Sequence, residues 1–179
     1  MTKTEENLRA ALAGESQARA KYTKWAGVAN KEGHQAIAKT FQETADNEYE
    51  HSAVIMNLLG IAKTTEQNLT EAASGEMHEW RKMYPQFLEE AKAEKNFAAA
   101  KFFENIIRIE QHHDKRYKLI LERLKSGKLY KSDKEEVWFC TNCGYLHRGK
   151  EAPQACPNCL HPKGYFKRVS ETEWGTVEV

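Results

Sequence analysis

The 179-residue chain has no long apolar run: no segment approaches the roughly 20 consecutive apolar residues of a membrane-spanning helix. It has almost no net charge, formally +1, and its acidic and basic residues alternate along the same stretches. A dedicated nucleic-acid binder is excluded on that ground. The first residues, MTKTEENLRAALAGES, lack the apolar centre of a secretion signal and already have the pattern of an acidic amphipathic helix, so a cytoplasmic location is expected. Cysteine is scarce and confined. All four cysteines lie between residues 140 and 159 in two Cys-x-x-Cys pairs. A disulfide scaffold would distribute them along the chain, so a metal site is the better reading. With 40% hydrophobic and 30% charged residues, nothing marks the chain as disordered.

What is present divides at about residue 126. Residues 3 to 126 are rich in Ala, Glu, Lys, Leu and Gln. Gly33, Gly60 and the stretch from Ala91 to Asn96 cut them into four helical segments, each about 40 Å long at 1.5 Å per residue. Four long helices on short turns predict an antiparallel bundle, with room for one longer crossover. Pro85 should kink or end a sub-helix in the third segment. From Ser126, SGKLYKSDKEE has the composition of a polar linker. Short extended runs, EVWFC and GYFKRV, follow among Gly and Pro. This last part predicts a small metal-held β module with Trp138, Tyr145, Tyr165 and Phe166 as its mini-core. The expected fold class is mostly α, a four-helix bundle over 1–135 with the linker included, then a small β module over 136–179.

The apolar stripes of the helices carry a repeated fault. The second helix runs Ile37, Phe41, Thr44, Glu48, His51, Ile55, Leu58 at steps of three and four. The fourth runs Phe103, Ile106, Glu110, His113, Tyr117, Ile120. Both carry Glu-x-x-His in mid-stripe. Of the seven histidines only His51 and His113 have a glutamate three residues earlier. The first helix adds Glu15 in phase, and the third adds Glu76 with Glu79 one turn beyond. Glu15 precedes Glu48 by 33 residues and Glu76 precedes Glu110 by 34, so the region is two copies of a helix pair. A lone Glu-x-x-His on so charged a helix is usually a solvated pair, but duplication on core stripes reverses that reading. Buried carboxylates need a partner charge, a proton or a metal. One Glu from each of two helices and Glu-x-x-His from each of the others is the di-iron or di-manganese carboxylate arrangement. The i, i+3 spacing sends both ligands from one helix face. His34, His78 and His112 fall off the stripes and are expected at the surface.

Cys140-x-x-Cys143 and Cys156-x-x-Cys159 provide four thiolates for a tetrahedral ion, zinc or a single iron. A structural zinc ribbon is the plain alternative. A redox-active metal pair in the same chain favours iron, since an Fe(Cys)4 centre relays single electrons.

Six stretches in this order resemble rubrerythrins over nearly the whole chain: AGESQARAKY (13–22), ETADNEYEH (43–51), GEMHEWRKMYP (75–85), IEQHHDKR (109–116), WFCTNCGY (138–145) and APQACPNCLHPKGYF (152–166). The resemblance implies a ferritin-like bundle followed by a rubredoxin-like domain. It places the ligands of an oxo- and carboxylate-bridged di-iron pair on Glu15, Glu48, His51, Glu76, Glu79, Glu110 and His113. A third iron falls on Cys140, Cys143, Cys156 and Cys159, and Tyr22 and Tyr84 match tyrosines beside the iron pair. One iron is expected to move between His51 and Glu79 with redox state, since neutral imidazole suits Fe(II) and an added carboxylate suits Fe(III). His51, Glu79, Tyr22 and Tyr84 are thus the catalytic candidates. The implied assembly is a homodimer or higher homo-oligomer, with the cysteine module of one subunit close to the di-iron site of another.

The implied activity is reduction of hydrogen peroxide to water. Electrons would pass through the cysteine iron from a rubredoxin or an NAD(P)H-dependent reductase. The chain has no G-x-G-x-x-G and is not expected to bind the nicotinamide itself. Its rivals are an O2-consuming oxidase or ferroxidase, an iron-handling protein of ferritin type, and a zinc-ribbon interaction module. Storage does not need the cysteine relay, and a coloured protein would exclude the zinc ribbon.

Overall fold

The computed structural model describes residues 1–169; residues 170–179, the end of the expected β module, lie outside the described part. The expected mostly helical organisation is present, and the chain divides into two compact units, 1–63 and 64–179. None of the described helices is long and apolar enough to cross a membrane.

The first unit is a helical hairpin of α1 (Lys3–Lys31) and α2 (Gln35–Leu58). Thr2 and Glu5 form a reciprocal capping box that starts α1. The chain reverses at Gly33, whose φ of +85° suits a residue without Cβ, and His34 N–H closes the turn on Ala29 O at 2.8 Å. Ala26, Ala29, Ala38, Ala45 and Ser52 are the buried residues of the two helices. The expected apolar stripe is not buried throughout: Ile37 and Leu58 are 51% and 67% exposed. Two helices share one seam, and their close approach there admits small side chains. Tyr22, Trp25 and Phe41 form a ring cluster, with centroids 5.5 to 6.2 Å apart.

In the second unit the expected third helix is two helices joined by a widened turn. α3 (Thr65–His78) begins on a Thr64–Gln67 capping box. A π turn, Glu79–Met83, leads into α4 (Tyr84–Ala93), and α5 (Phe97–Lys125) returns with Asn96 as its cap. The break lies before Pro85, not at it. Pro85 has no N–H, and in a regular helix its ring would strike the carbonyl of Arg81. The π turn opens that stretch, and Tyr84 N–H bonds Glu79 O instead.

The module follows directly. β1 (Lys131–Cys140) is the central strand, antiparallel to β2 (Leu146–Glu151) and β3 (Phe166–Arg168). Most of the expected linker is therefore strand, since β1 starts at Lys131. An irregularity in pairing between Lys131 and Glu136 lets this charged stretch run along the edge of β2. Trp138, Cys140, Ala152, Cys156 and Phe166 form the core, with Tyr130 and Cys159 packed on it. Tyr145 and Tyr165, expected inside, are 36% and 41% exposed. Tyr130, at the start of the module, supplies the ring that fills the core. The Trp138 indole N–H donates to Gly149 O at 2.9 Å. The Arg168 guanidinium lies 5.1 Å from the Trp138 ring and donates to the carbonyls of Lys128 and Lys131, tying the sheet to the segment that leaves α5.

The two cysteine knuckles differ at one position. After Cys143 the chain turns through Gly144 at φ +80°, whereas after Cys159 it turns through Leu160 at φ +61°. A left-handed backbone costs a residue with a Cβ about 1–2 kcal/mol. Leu160 is 78% exposed, so little packing offsets this. Leu160→Gly is expected to raise the stability of the metal-loaded module by about 1 kcal/mol in denaturant unfolding followed by Trp138 fluorescence. An unchanged or lowered midpoint would contradict that assignment of strain.

Candidate metal centres

Each helical pair gathers one glutamate from its first helix and the Glu-x-x-His of its second. Glu15 on α1 meets Glu48 and His51 on α2, with one ligand atom from each residue within 4.8 Å of the others. His51 Nδ1 is 2.8 Å from Glu48 Oε2 and 3.7 Å from Glu15 Oε2. In the second unit Glu76 on α3 meets Glu110 and His113 on α5 in the same way, at 2.7 Å (Glu110) and 3.5 Å (Glu76) from His113 Nδ1. The two triads are near copies. They differ in cover, for the side chain of His51 is 59% exposed and that of His113 only 23%.

The second triad shows the charge problem that a cation would solve. The Glu76 carboxyl is held above its ordinary value, first by burial, then by a hydrogen bond with Glu110 and by that residue's charge; Glu79 adds to the effect. Two carboxylates crowded in this way mark a place where a cation can stand. The donors, two carboxylates and an imidazole, suit iron and other divalent first-row metals. Tyr84 is likewise held above its usual value by burial and by Glu79, Glu110 and Glu76, so it keeps its proton beside the triad.

Glu79 itself lies outside the triad, half-buried in the π turn. Its position explains why the repeat is uneven. Glu15 and Tyr22 are seven residues apart, and Glu76 and Tyr84 are eight. From those tyrosines onward the copies are in step: Tyr22 packs on Phe41 at 6.2 Å and Tyr84 on Phe103 at 6.0 Å, each pair 19 residues apart. The single extra residue of the second copy is taken up as the π turn, which also carries the extra glutamate. The 33- and 34-residue intervals held this information, but the mismatch alone does not say where the insertion falls.

The four cysteines are free thiols whose Sγ atoms cluster within 4.8 Å. Cys140 and Cys159 are 3.8 Å apart and Cys143 and Cys156 3.6 Å. An ion bonded to four sulfurs at about 2.3 Å in a tetrahedron separates them by about 3.8 Å, so the sulfurs already stand at the corners of a metal site. The pairs are unequal. The backbone N–H of His161 leads in lowering Cys159 to about 6, whereas burial pushes Cys156 up to about 11. Cys143 is the exposed ligand. Two partners were not legible as site residues: the half-buried Trp80 and the buried Asp114, which bond each other next to the second triad.

The family described as Rubrerythrin matches residues 6–121, and the rubredoxin-like domain of rubrerythrin matches 138–167. The rubrerythrin of Porphyromonas gingivalis is 41% identical, the alignment covering 93% of this chain and 90% of that protein. Rubrerythrin-1 of Clostridium acetobutylicum is also 41% identical, over 95% and 96%. The rubrerythrin of Nitratidesulfovibrio vulgaris is 38% identical, over 93% and 94%. With the two Glu/Glu/His triads and the sulfur tetrahedron, these matches identify the cofactors as a di-iron pair and one cysteine-bound iron.

Two outcomes follow from the titrating groups. A carboxyl whose folded value is raised contributes stability below its unfolded value, and that contribution is lost as pH rises through the folded one. Glu76→Gln is therefore expected to raise the melting temperature of metal-free protein at pH 7 by on the order of a few degrees while abolishing metal uptake by that triad. A lower melting temperature would contradict the account of charge crowding. At the cysteines, Cys156 must give up a firmly held proton to bind metal. Cobalt uptake, read by thiolate charge-transfer absorbance, should weaken by roughly tenfold or more per unit between pH 8 and 6. A flat profile would mean that the thiols are already ionised.

Proposed function

The chain belongs to the rubrerythrin family, and on that footing we propose that it is a peroxidase, reducing hydrogen peroxide to water with electrons received through its cysteine-bound iron. The family is one of oxidoreductases. The observation that carries the finer reading is the pairing, in one chain, of two carboxylate–histidine triads with a four-sulfur relay site that has one exposed ligand. Reduction of one peroxide takes two electrons and two protons and releases two waters. The di-iron pair, when bound, supplies the electrons and Lewis acidity at the O–O bond.

The side chains have separate roles. Glu15, Glu48, His51, Glu76, Glu110 and His113 would hold the pair. Glu79 would be its seventh ligand, exchanging with His51 as the redox state changes. The half-buried place of Glu79 in a widened turn and the exposure of the His51 ring support this exchange. Tyr84, its proton held by burial and three neighbouring carboxylates, is the donor placed to hand a proton to a leaving oxygen. Tyr22 takes the equivalent place in the first copy. Cys140, Cys143, Cys156 and Cys159 would hold the iron that accepts single electrons from a rubredoxin or an NAD(P)H-dependent reductase. The working form is a homodimer or larger homo-oligomer in the cytoplasm, in line with four free thiols.

Glu79→Ala is expected to leave two irons bound at the triads but to slow peroxide turnover by about 100-fold or more, the scale of a lost catalytic group. Wild-type turnover would remove Glu79 from the mechanism. Cys143→Ser is expected to abolish donor-driven cycling while pre-reduced protein still consumes one equivalent of peroxide. Loss of that single turnover as well would show that the cysteine site does more than relay electrons.

A further inference from the structure

Asp114 is 3% exposed on α5, directly after the ligand His113, yet it belongs to neither triad. Its Oδ2 accepts a hydrogen bond from the Trp80 indole N–H at 3.1 Å and one from Lys118 Nζ at 2.8 Å; Lys118 Nζ also lies 2.7 Å from Oδ1. Lys118 is one turn along the same helix and balances the charge. Trp80 comes from elsewhere. It is the second residue of the π turn and the neighbour of Glu79, so its bond ties that turn to α5 across 34 positions of sequence.

The first copy of the repeat has none of this. Ser52 stands where Asp114 does and bonds back to Glu48 O of its own helix at 3.0 Å. Met56 stands in place of Lys118, and no tryptophan lies between Glu15 and Tyr22. That stretch of α1 is also regular helix, with no π turn. The buried carboxylate, the indole donor and the inserted residue thus occur together, in the one copy that carries the extra glutamate. A widened turn has poorer internal bonding than α-helix and needs a hold from outside to keep one geometry.

We propose that Asp114 is a positioning residue for Glu79: by holding the Trp80 indole it fixes the π turn, and so fixes where the Glu79 carboxylate stands relative to Glu76, Glu110 and Tyr84. The consequence for turnover rests on the role proposed above for Glu79; the tether itself does not.

Amide hydrogen exchange on the full-length, metal-free protein tests the tether. In Asp114→Leu and Trp80→Phe, amides of residues 79–84 should exchange about tenfold or more faster than in wild type, with residues 66–76 and 98–108 unchanged. Asp114→Asn, which still accepts from the indole, should behave as wild type. No change at 79–84, or an equal change along α3, α4 and α5, overturns the proposal. Trp80→Phe, which leaves the Asp114–Lys118 pair in place, decides the matter if Asp114→Leu does not fold. A double-mutant cycle on peroxide turnover then tests the consequence: Asp114→Leu should slow the wild type but not slow Glu79→Ala further. If Glu79→Ala is slow and Asp114→Leu slows it again by its full separate factor, Asp114 does not act through Glu79. If Glu79→Ala turns over normally, the role of Glu79 fails, and the exchange result alone judges the tether.

Discussion

Two carboxylates and an imidazole brought within 4.8 Å of one another form a crowded donor set that a cation relieves, and this arrangement recurs in each helical pair, more covered in the second than in the first. It accounts for the pattern of the helices. Their seams are lined by alanine because the larger inward positions are given over to ligands and rings. The long helices supply what propensity and caps can supply, and the ligand positions spend some of that stability on charges brought close together. The raised values of Glu76 and Tyr84 are the electrostatic signature of that crowding without metal. A bound metal pair would convert the repulsion into coordination.

The fold class and the donors were legible because they are written as periodicity. Glu-x-x-His on an apolar stripe, met twice with a glutamate in phase before it, has few physical explanations other than metal. The Cys-x-x-Cys pairs are similarly direct. The π turn was not legible. Pro85 signals trouble in a helix, but not that the helix widens ahead of it and continues. The one-residue excess between the copies was visible as a number, and its location appears only when Tyr22–Phe41 and Tyr84–Phe103 are seen to pack alike. Trp80 and Asp114 were missed for a related reason. They lie 34 residues apart, and neither belongs to a repeating pattern.

In the module, composition misled. SGKLYKSDKEE has few of the residues that favour strands, yet from Lys131 it runs as strand, because β1 is held by pairing at Glu136 to Phe139 and by the Arg168 contacts rather than by local preference. Tyr145 and Tyr165 were expected inside as aromatic residues near cysteines, but the small core is already filled by Trp138, Phe166, Ala152, Cys140 and Cys156, with Tyr130 and Cys159 packed on it. The result leaves Cys143 at the surface and Cys156 fully buried, the asymmetry that an electron entry point needs.

In the proposed function peroxide, rather than O2, is the oxidant of the reduced metal centres. The most direct test is stopped-flow absorbance on anaerobically reduced protein mixed separately with hydrogen peroxide and with O2, following the cysteine-iron bands in the visible and the di-iron bands in the near-ultraviolet. The account predicts rapid oxidation of both centres by peroxide and much slower oxidation by O2. Faster oxidation by O2 than by peroxide would contradict it and make the chain an oxidase or ferroxidase.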